Sequence, residues 1–158
     1  MCDYCKGCPY EGHTKVESVR MDKETLIVML CPGESEEKLK QPLASEDPTS
    51  ATMRIKNNLP TGRTLEDYAV TELVRCCPGR DKNNKYLQPE VSAIALCYRF
   101  LEDELCKGSF KRVVTLSAVA NSLVENIRDR FNLSFEHKKG RHPQNGVANE
   151  EIKQYFEE

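Results

Sequence analysis

The chain has 158 residues, of which 39% are hydrophobic and 30% are charged, which is the size and composition of one globular domain. It contains no apolar run of about eighteen residues, so we expect no membrane span, and its first residues lack the apolar core of a signal peptide. The net charge of −2 argues against electrostatic binding of nucleic acid over a large part of the surface but allows a local basic patch. We therefore expect one domain, residues 1–158, in the reducing cytoplasm and without a membrane partner.

The first half of the chain predicts two strands and one short helix. Residues 25–31, TLIVMLC, are apolar on both faces, which is typical of a parallel strand covered by helices. Residues 34–48 have the polar composition of a loop, and residues 49–58 predict a short helix with a Thr-Ser pair at its N-cap. Residues 68–75, YAVTELVR, predict the second strand, and a long polar loop, CCPGRDKNNKYLQ, follows it.

The second half predicts alternating helices and strands. A helix begins at Pro89, a residue favoured in the first turn, and a strand follows at residues 112–117. The remaining predictions are a helix over 118–131, a strand over 133–137 and a closing helix over 148–156. In the two longer helices apolar side chains recur at steps of three and four, and the predicted buried faces are Val91, Ile94, Tyr98, Leu101 and Leu105, then Val119, Leu123, Ile127 and Phe131.

This alternation indicates an α/β domain with a mostly parallel sheet. Ligands of such folds bind beyond the carboxyl ends of the strands. The loop CPGESEE after the first strand, the loop after Arg75, the side chain of Ser117 and the segment around His142 are all predicted to meet at that edge.

Cysteine is the most unusual feature of the composition. In a reducing compartment, thiols in such clusters bind metals more often than they form disulfides. Four thiolates can hold zinc or an iron–sulfur cluster, and spacing alone does not choose between them. The eight cysteines are Cys2, Cys5, Cys8, Cys31, Cys76, Cys77, Cys97 and Cys106.

Six segments occur in a characteristic order: CKGCP, MLCPGESEE, VRCCPG, QPEVSAIALCYRFLEDEL, RVVTLSAVANSL and a final HP. Together they resemble the iron–sulfur branches, families four and five, of the uracil-DNA glycosylase superfamily. The resemblance covers most of the chain and implies a three-layer α/β/α domain around a central, mostly parallel, four-stranded sheet. It also implies a monomer that binds DNA with a flipped-out base and hydrolyses the N-glycosidic bond of that base.

The resemblance implies a 4Fe–4S cluster, with zinc as the second choice of cofactor. Its ligands fall on Cys5 and Cys8, which are followed by Pro9, on Cys76 after the second strand, and on Cys97 in the next helix. We expect the cluster to be structural, since it would connect three segments of a small domain.

The loop after the first strand departs from the family pattern. Leu30 stands where family four has the acid that positions water, while Pro32 and Gly33 keep the loop and are expected to line the substrate site. Three later acids can act instead, with the first as our candidate catalytic residue, or they only cap and solvate the loop: Glu34, Glu36 and Glu37.

The base-binding positions differ as well. Leu43 replaces the aromatic that stacks on the base, and Glu72 replaces the amide that reads its edge. An ionised carboxylate only accepts hydrogen bonds and favours a base with an amino group, whereas a Glu72 protonated by burial can still donate. His142, in the HP pair, is expected near the scissile bond, and the phosphate contacts are expected from Lys138, Lys139 and Arg141.

Three functions remain open at this point. The first is a glycosylase for a damaged or modified pyrimidine, which the cysteines, the order of the loops and His142 favour. The second is a catalytically inactive, glycosylase-like accessory factor that binds DNA or another protein, which Leu30, Leu43 and Glu72 favour. The third is an unrelated α/β protein that carries a zinc ribbon.

Overall fold

The computed structural model describes residues 5–144 and 146–157. Its centre is a sheet of four strands: β1 (Thr25–Met29), β2 (Ala69–Glu72), β3 (Arg112–Thr115) and β4 (Glu136–Lys139). The strands lie in the order β2-β1-β3-β4, and every neighbouring pair is parallel. The predicted α/β fold with a four-stranded parallel sheet is therefore confirmed.

The helices cover both faces of this sheet. They are α1 (Glu34–Leu39), α2 (Ala51–Lys56), α3 (Val91–Lys107), α4 (Ala118–Phe131) and α5 (Asn149–Phe156), and a 3-10 helix precedes β2 at Leu65–Asp67. Side chains of α2 and α5 pack on one face of the sheet, while those of α3 and α4 pack on the other. In the described part of the chain no helix has the length and apolar character needed to cross a bilayer.

Two predicted elements differ from the structure. Helix α1 lies in the segment predicted as a loop, because three acids in its first turn favour the N-terminal end of a helix dipole although its apolar pattern is weak. Strand β4 lies later than the predicted residues 133–137. The left-handed Asn132 ends α4, and the backbone N–H of Leu133 still bonds to that helix, so pairing with β3 begins at Glu136.

The buried faces of the long helices are also displaced from the prediction. In α4 the buried residues are Ala120, Val124 and Ile127, while the predicted Val119 and Phe131 are exposed. In α3 the predicted Val91 is exposed because it is the first residue of the helix and precedes the turn that meets the sheet.

The segment that carries the first cysteines runs along the outer edge of β2. Single antiparallel bridges join Lys15 to Cys76 and Val19 to Val70. The Val19 N–H donates to the Val70 carbonyl at 2.9 Å. The segment thus covers one edge of the sheet without forming a strand of its own.

Candidate functional site

The cysteines of the N-terminal segment lie in a turn beside the end of β2. The Cys8 N–H donates to the Cys5 carbonyl at 3.0 Å, and the Tyr10 N–H points at Cys8 Sγ at 3.5 Å. Cys76 follows β2 and Cys97 lies in α3, and both are buried in one small cluster with Tyr10.

The four thiols predicted as cluster ligands interact electrostatically. The pKa of Cys76 is raised to about 12, mainly by burial and also by the neighbouring Cys97, Cys8 and Cys5. Burial also raises the pKa of Cys97, which a hydrogen bond from the backbone of Arg75 partly offsets. Cys76 and Cys97 therefore favour the neutral thiol without a metal, and metal binding has to displace their protons.

The residues around the thiols fit a thiolate-bound metal centre. Backbone N–H groups of Tyr10 and Arg75 are directed at sulfur atoms, and the surrounding shell, including Val74 and Ala93, is apolar. Backbone donors stabilise the negative charge of thiolates, and an apolar shell excludes water. Across residues 5–144 and 146–157, no group of three or more His, Cys, Asp or Glu side chains is placed so that it could hold a metal ion.

The other cysteines differ in their surroundings. The pKa of Cys31 is raised to about 12, mainly by burial and also by the nearby Glu72 and Cys77. Cys77 is buried, while Cys106 is exposed on α3. Cys2 lies outside the described residues.

Arg75 joins β2 to both segments that carry the other cysteines. It is buried, donates to Glu17 at 2.7 Å and pairs with Glu104 of α3. Glu104 also accepts hydrogen bonds from Ser18 at 2.5 Å and from Thr71 at 2.8 Å. This network fixes the N-terminal segment against β2 and α3, next to the thiols.

At the carboxyl edge of the sheet two buried carboxyl groups lie close together. Glu72 ends β2 and is only 4% exposed, and its Oε2 has no hydrogen-bond partner among the described residues. Burial raises the pKa of Glu72 well above its ordinary value, and the neighbouring Glu36 raises it further. This shift favours the protonated form of Glu72, which can donate as well as accept.

Glu36 is held in a fixed position. Its Oε1 accepts from the Ser45 N–H at 3.1 Å and from the Thr52 hydroxyl at 3.4 Å, and its Oε2 accepts from the Gly33 N–H at 3.2 Å. The sequence predicts Glu34 as the catalytic acid of this loop, whereas it is Glu36 that is buried. The available signal was its place three residues after Gly33, where a Glu side chain bonds back to the N-terminus of a helix.

Glu34 itself lies on the surface. It is exposed, and its Oε1 accepts from Arg80 Nε at 2.8 Å. Among the acids of this loop, the structure places Glu36 rather than Glu34 beside Glu72.

The predicted apolar contacts to the base lie apart from one another. Leu30 packs on the side of α3 and α4, whereas Leu43 is buried in the core on the side of α2 and α5. Leu43 also has a left-handed backbone, with φ of 51°. Pro32 is buried in the loop that Gly33 ends as the N-cap of α1.

His142 and Ser117 follow the other strands at the same edge. His142 comes three residues after β4, its Nδ1 is buried with no partner among the described residues, and burial lowers its pKa. Ser117 is buried and caps α4 by accepting the Ala120 N–H at 3.1 Å. β2 and β4 are the outer strands of the sheet, so Glu72 and His142 follow opposite sides of this edge, with the ends of β1 and β3 between them.

The three predicted phosphate contacts are each paired with an acid. Lys138 bonds to Glu136 at 3.1 Å and Lys139 to Glu125 at 2.7 Å. Arg141 bonds to Glu151 through two nitrogens, and this pairing lowers the pKa of Glu151 to about 2. Binding a phosphate at these positions requires an exchange of partners.

Neither the known protein-family models nor the curated proteins searched give a match to this chain.

Proposed function

We propose that this protein is a DNA glycosylase-like enzyme that hydrolyses the N-glycosidic bond of a damaged or modified pyrimidine. The observation that carries the proposal is the buried, partly unpaired carboxyl of Glu72 at the carboxyl end of β2. A buried polar group without a partner is costly unless a ligand satisfies it. The four-stranded parallel sheet supports the proposal, since such folds bind ligands at this edge.

Protonation gives Glu72 the hydrogen-bonding pattern of an amide. A neutral carboxyl presents one O–H donor and one carbonyl acceptor. A pyrimidine with a keto oxygen beside a ring N–H offers the complementary acceptor and donor. The expected substrates therefore include bases with a uracil-like edge, together with modified forms that keep it.

The other residues at the edge can serve the bond cleavage. Because burial lowers the pKa of His142, its imidazole is neutral and can donate one N–H to an oxygen of the departing base anion. Water attacks C1′ of the sugar as the bond to the base breaks. Glu36, held by three donors, raises the pKa of Glu72 and so favours its protonated form.

We assign Cys5, Cys8, Cys76 and Cys97 as ligands of a 4Fe–4S cluster, with zinc as the alternative. When bound, the cluster would supply a cross-link between the N-terminal segment, the loop after β2 and α3. It has no part in the chemical step proposed here.

The second candidate function is an inactive, glycosylase-like accessory factor. The burial of Leu43 in the core and the position of Leu30 on the far side of the sheet favour it, because neither side chain then contacts a base as the family pattern implies.

A base-release assay separates the two functions. Single-stranded and duplex DNA carrying uracil or modified pyrimidines is incubated with the metal-loaded protein, and alkali then cleaves any abasic site. We expect cleavage with at least one base, its loss in His142→Ala, and its retention in Lys107→Gln, at an exposed position at the far end of α3. DNA binding without base release from any substrate would support the accessory factor instead.

A further inference from the structure

The loop between β2 and α3 contains a closed hairpin, residues 79–87. Arg80 and Tyr86 form an antiparallel bridge, and the Asp81 N–H donates to the Lys85 carbonyl at 2.8 Å. At the tip, Asp81 Oδ1 accepts the N–H groups of Asn83 at 2.8 Å and Lys85 at 3.0 Å. These bonds order a segment whose polar sequence alone predicts an irregular loop.

The hairpin carries a stacked pair of side chains. The guanidinium carbon of Arg80 lies 3.8 Å from the ring centre of Tyr86, which is 53% exposed. Arg80 is fixed from two further sides, by Glu34 Oε1 at 2.8 Å and by the Asn84 carbonyl at 3.0 Å. An exposed aromatic ring that is already oriented loses little entropy when it stacks on a ligand.

The hairpin lies beside the candidate active site. The Tyr86 hydroxyl is 3.8 Å from the place that a Cβ on Gly33 would occupy, and the Gly33 N–H bonds to Glu36, the neighbour of Glu72. Gly79, at the base of the hairpin, lines an open groove of about 570 Å³, whose charged lining residues are Glu34, Glu37, Lys38 and Lys40.

The side chains of the hairpin match a nucleic-acid strand. Arg80, Lys82 and Lys85 are basic and only Asp81 is acidic, although the whole chain has a net charge of −2. Lys82 and Lys85 are exposed on either side of the tip. Positive side chains next to an aromatic ring are the combination that binds single-stranded nucleic acid.

We propose that the hairpin 79–87 binds the DNA strand next to the target nucleotide, with a base stacked on Tyr86 and phosphates on Lys82 and Lys85. Tyr86 thereby supplies the aromatic surface that Leu43, buried in the core, does not offer. This inference rests on the proposed function of the same edge, because it assumes that DNA is the ligand.

The test is the affinity of the metal-loaded protein for a fluorescein-labelled single-stranded oligonucleotide, measured by anisotropy over a series of salt concentrations. Tyr86→Leu is expected to weaken binding about tenfold or more, because stacking on a base is lost, and to leave the salt dependence unchanged. The double variant Lys82→Gln and Lys85→Gln is expected to reduce the salt slope by about 1.4, which is about 0.7 for each phosphate contact.

Matched controls lie at the opposite edge of the sheet. Phe131 at the end of α4 is 44% exposed and also lies under an arginine, Arg130, at 4.7 Å, so Phe131→Leu removes an equivalent stacked ring. Lys107→Gln with Lys111→Gln removes the same charge before β3. Both controls are expected to bind like the unaltered protein, and circular dichroism verifies the fold of each variant.

Three results distinguish this inference from the proposed function. If the unaltered protein binds the oligonucleotide and Tyr86→Leu binds equally well, the hairpin proposal is wrong even where base release is observed. If Tyr86→Leu weakens binding but no base is released from any DNA, the result supports the hairpin proposal and contradicts the proposed enzymatic function. If the unaltered protein binds no DNA, both are overturned.

Discussion

Replacing Glu72 with Gln tests whether this buried carboxyl is protonated in the folded protein. Gln has nearly the same size but cannot ionise. The folded pKa of Glu72 lies well above its ordinary value of 4.5, because the side chain is buried and Glu36 is close. Between these two pKa values, the folded chain holds a proton that the unfolded chain has released.

The sign of the effect follows from this difference in proton binding. As pH rises from about 4.5 towards the folded pKa, the Glu72 contribution to the free energy of unfolding falls by up to about 1.4 kcal/mol per pH unit. Burial lowers the pKa of His137 to about 4 and also lowers that of His142. These histidines make stability rise with pH up to about 6.5, but they are present in both proteins and cancel in the comparison.

The assay is urea unfolding of both proteins from about pH 5.5 to about pH 7.5. Over two pH units, Glu72→Gln is expected to gain up to about 2.8 kcal/mol relative to the unaltered protein, or roughly 6–11 °C in Tm. Glu34→Gln removes the same charge from an exposed position and is expected to follow the unaltered protein. Parallel curves for Glu72→Gln and the unaltered protein would show that Glu72 is ionised throughout, and the amide-like base contact would then be wrong.

Three further variants test the metal centre, the loop after β4 and the phosphate contacts. Cys76→Ser is expected to lose bound iron and acid-labile sulfide, whereas Cys106→Ser, at an exposed position, is expected to keep both. Arg54→Met removes hydrogen bonds from α2 to carbonyl groups of the loop that follows His142. We therefore expect the free energy of unfolding, measured in urea, to fall by about 2 kcal/mol. Glu151→Gln frees Arg141 from its pair and is expected to strengthen DNA binding and steepen its salt dependence.

Each of these has a result that contradicts it. Retention of iron by Cys76→Ser would remove that residue from the ligand set. Lys56→Met, on the exposed side of the same helix, is the control for the Arg54 variant. If the two variants are equally stable, the hydrogen bonds from Arg54 to the loop do not contribute to stability. Unchanged DNA affinity in Glu151→Gln would exclude Arg141 from the phosphate contacts.

The strongly patterned elements could be predicted from the sequence. The apolar run of β1 and the bounds of α4 at Ala118–Phe131 are confirmed. Ser50 caps α2 through a hydrogen bond from the Met53 N–H at 3.2 Å, as the Thr-Ser pair indicated. In these cases local chemistry and tertiary packing favour the same conformation, which is why the pattern is informative.

The parts that sequence could not supply depend on long-range contacts. β4 has the residues EHKK, so its strand character comes from pairing with β3, including a 2.7 Å bond from Arg112 to Glu136. The burial of Glu36 depends on Ser45 and Thr52, which belong to later segments. No rule based on residue spacing predicts such a contact. From the sequence alone, several acids in a loop are expected to be exposed to solvent.

Different features prevent the two outer strands of the sheet, β2 and β4, from pairing with strands of other molecules. On β4, the charged residues Glu136, Lys138 and Lys139 discourage pairing with a foreign strand. On the open side of β2, the N-terminal segment pairs with the strand through the bridge from Val19 to Val70, and a second bridge joins Lys15 to Cys76 beyond the end of the strand. Detachment of the N-terminal segment would therefore expose the unpaired backbone edge of β2 to neighbouring molecules, and self-association rather than simple unfolding is the expected fate of protein that loses this covering.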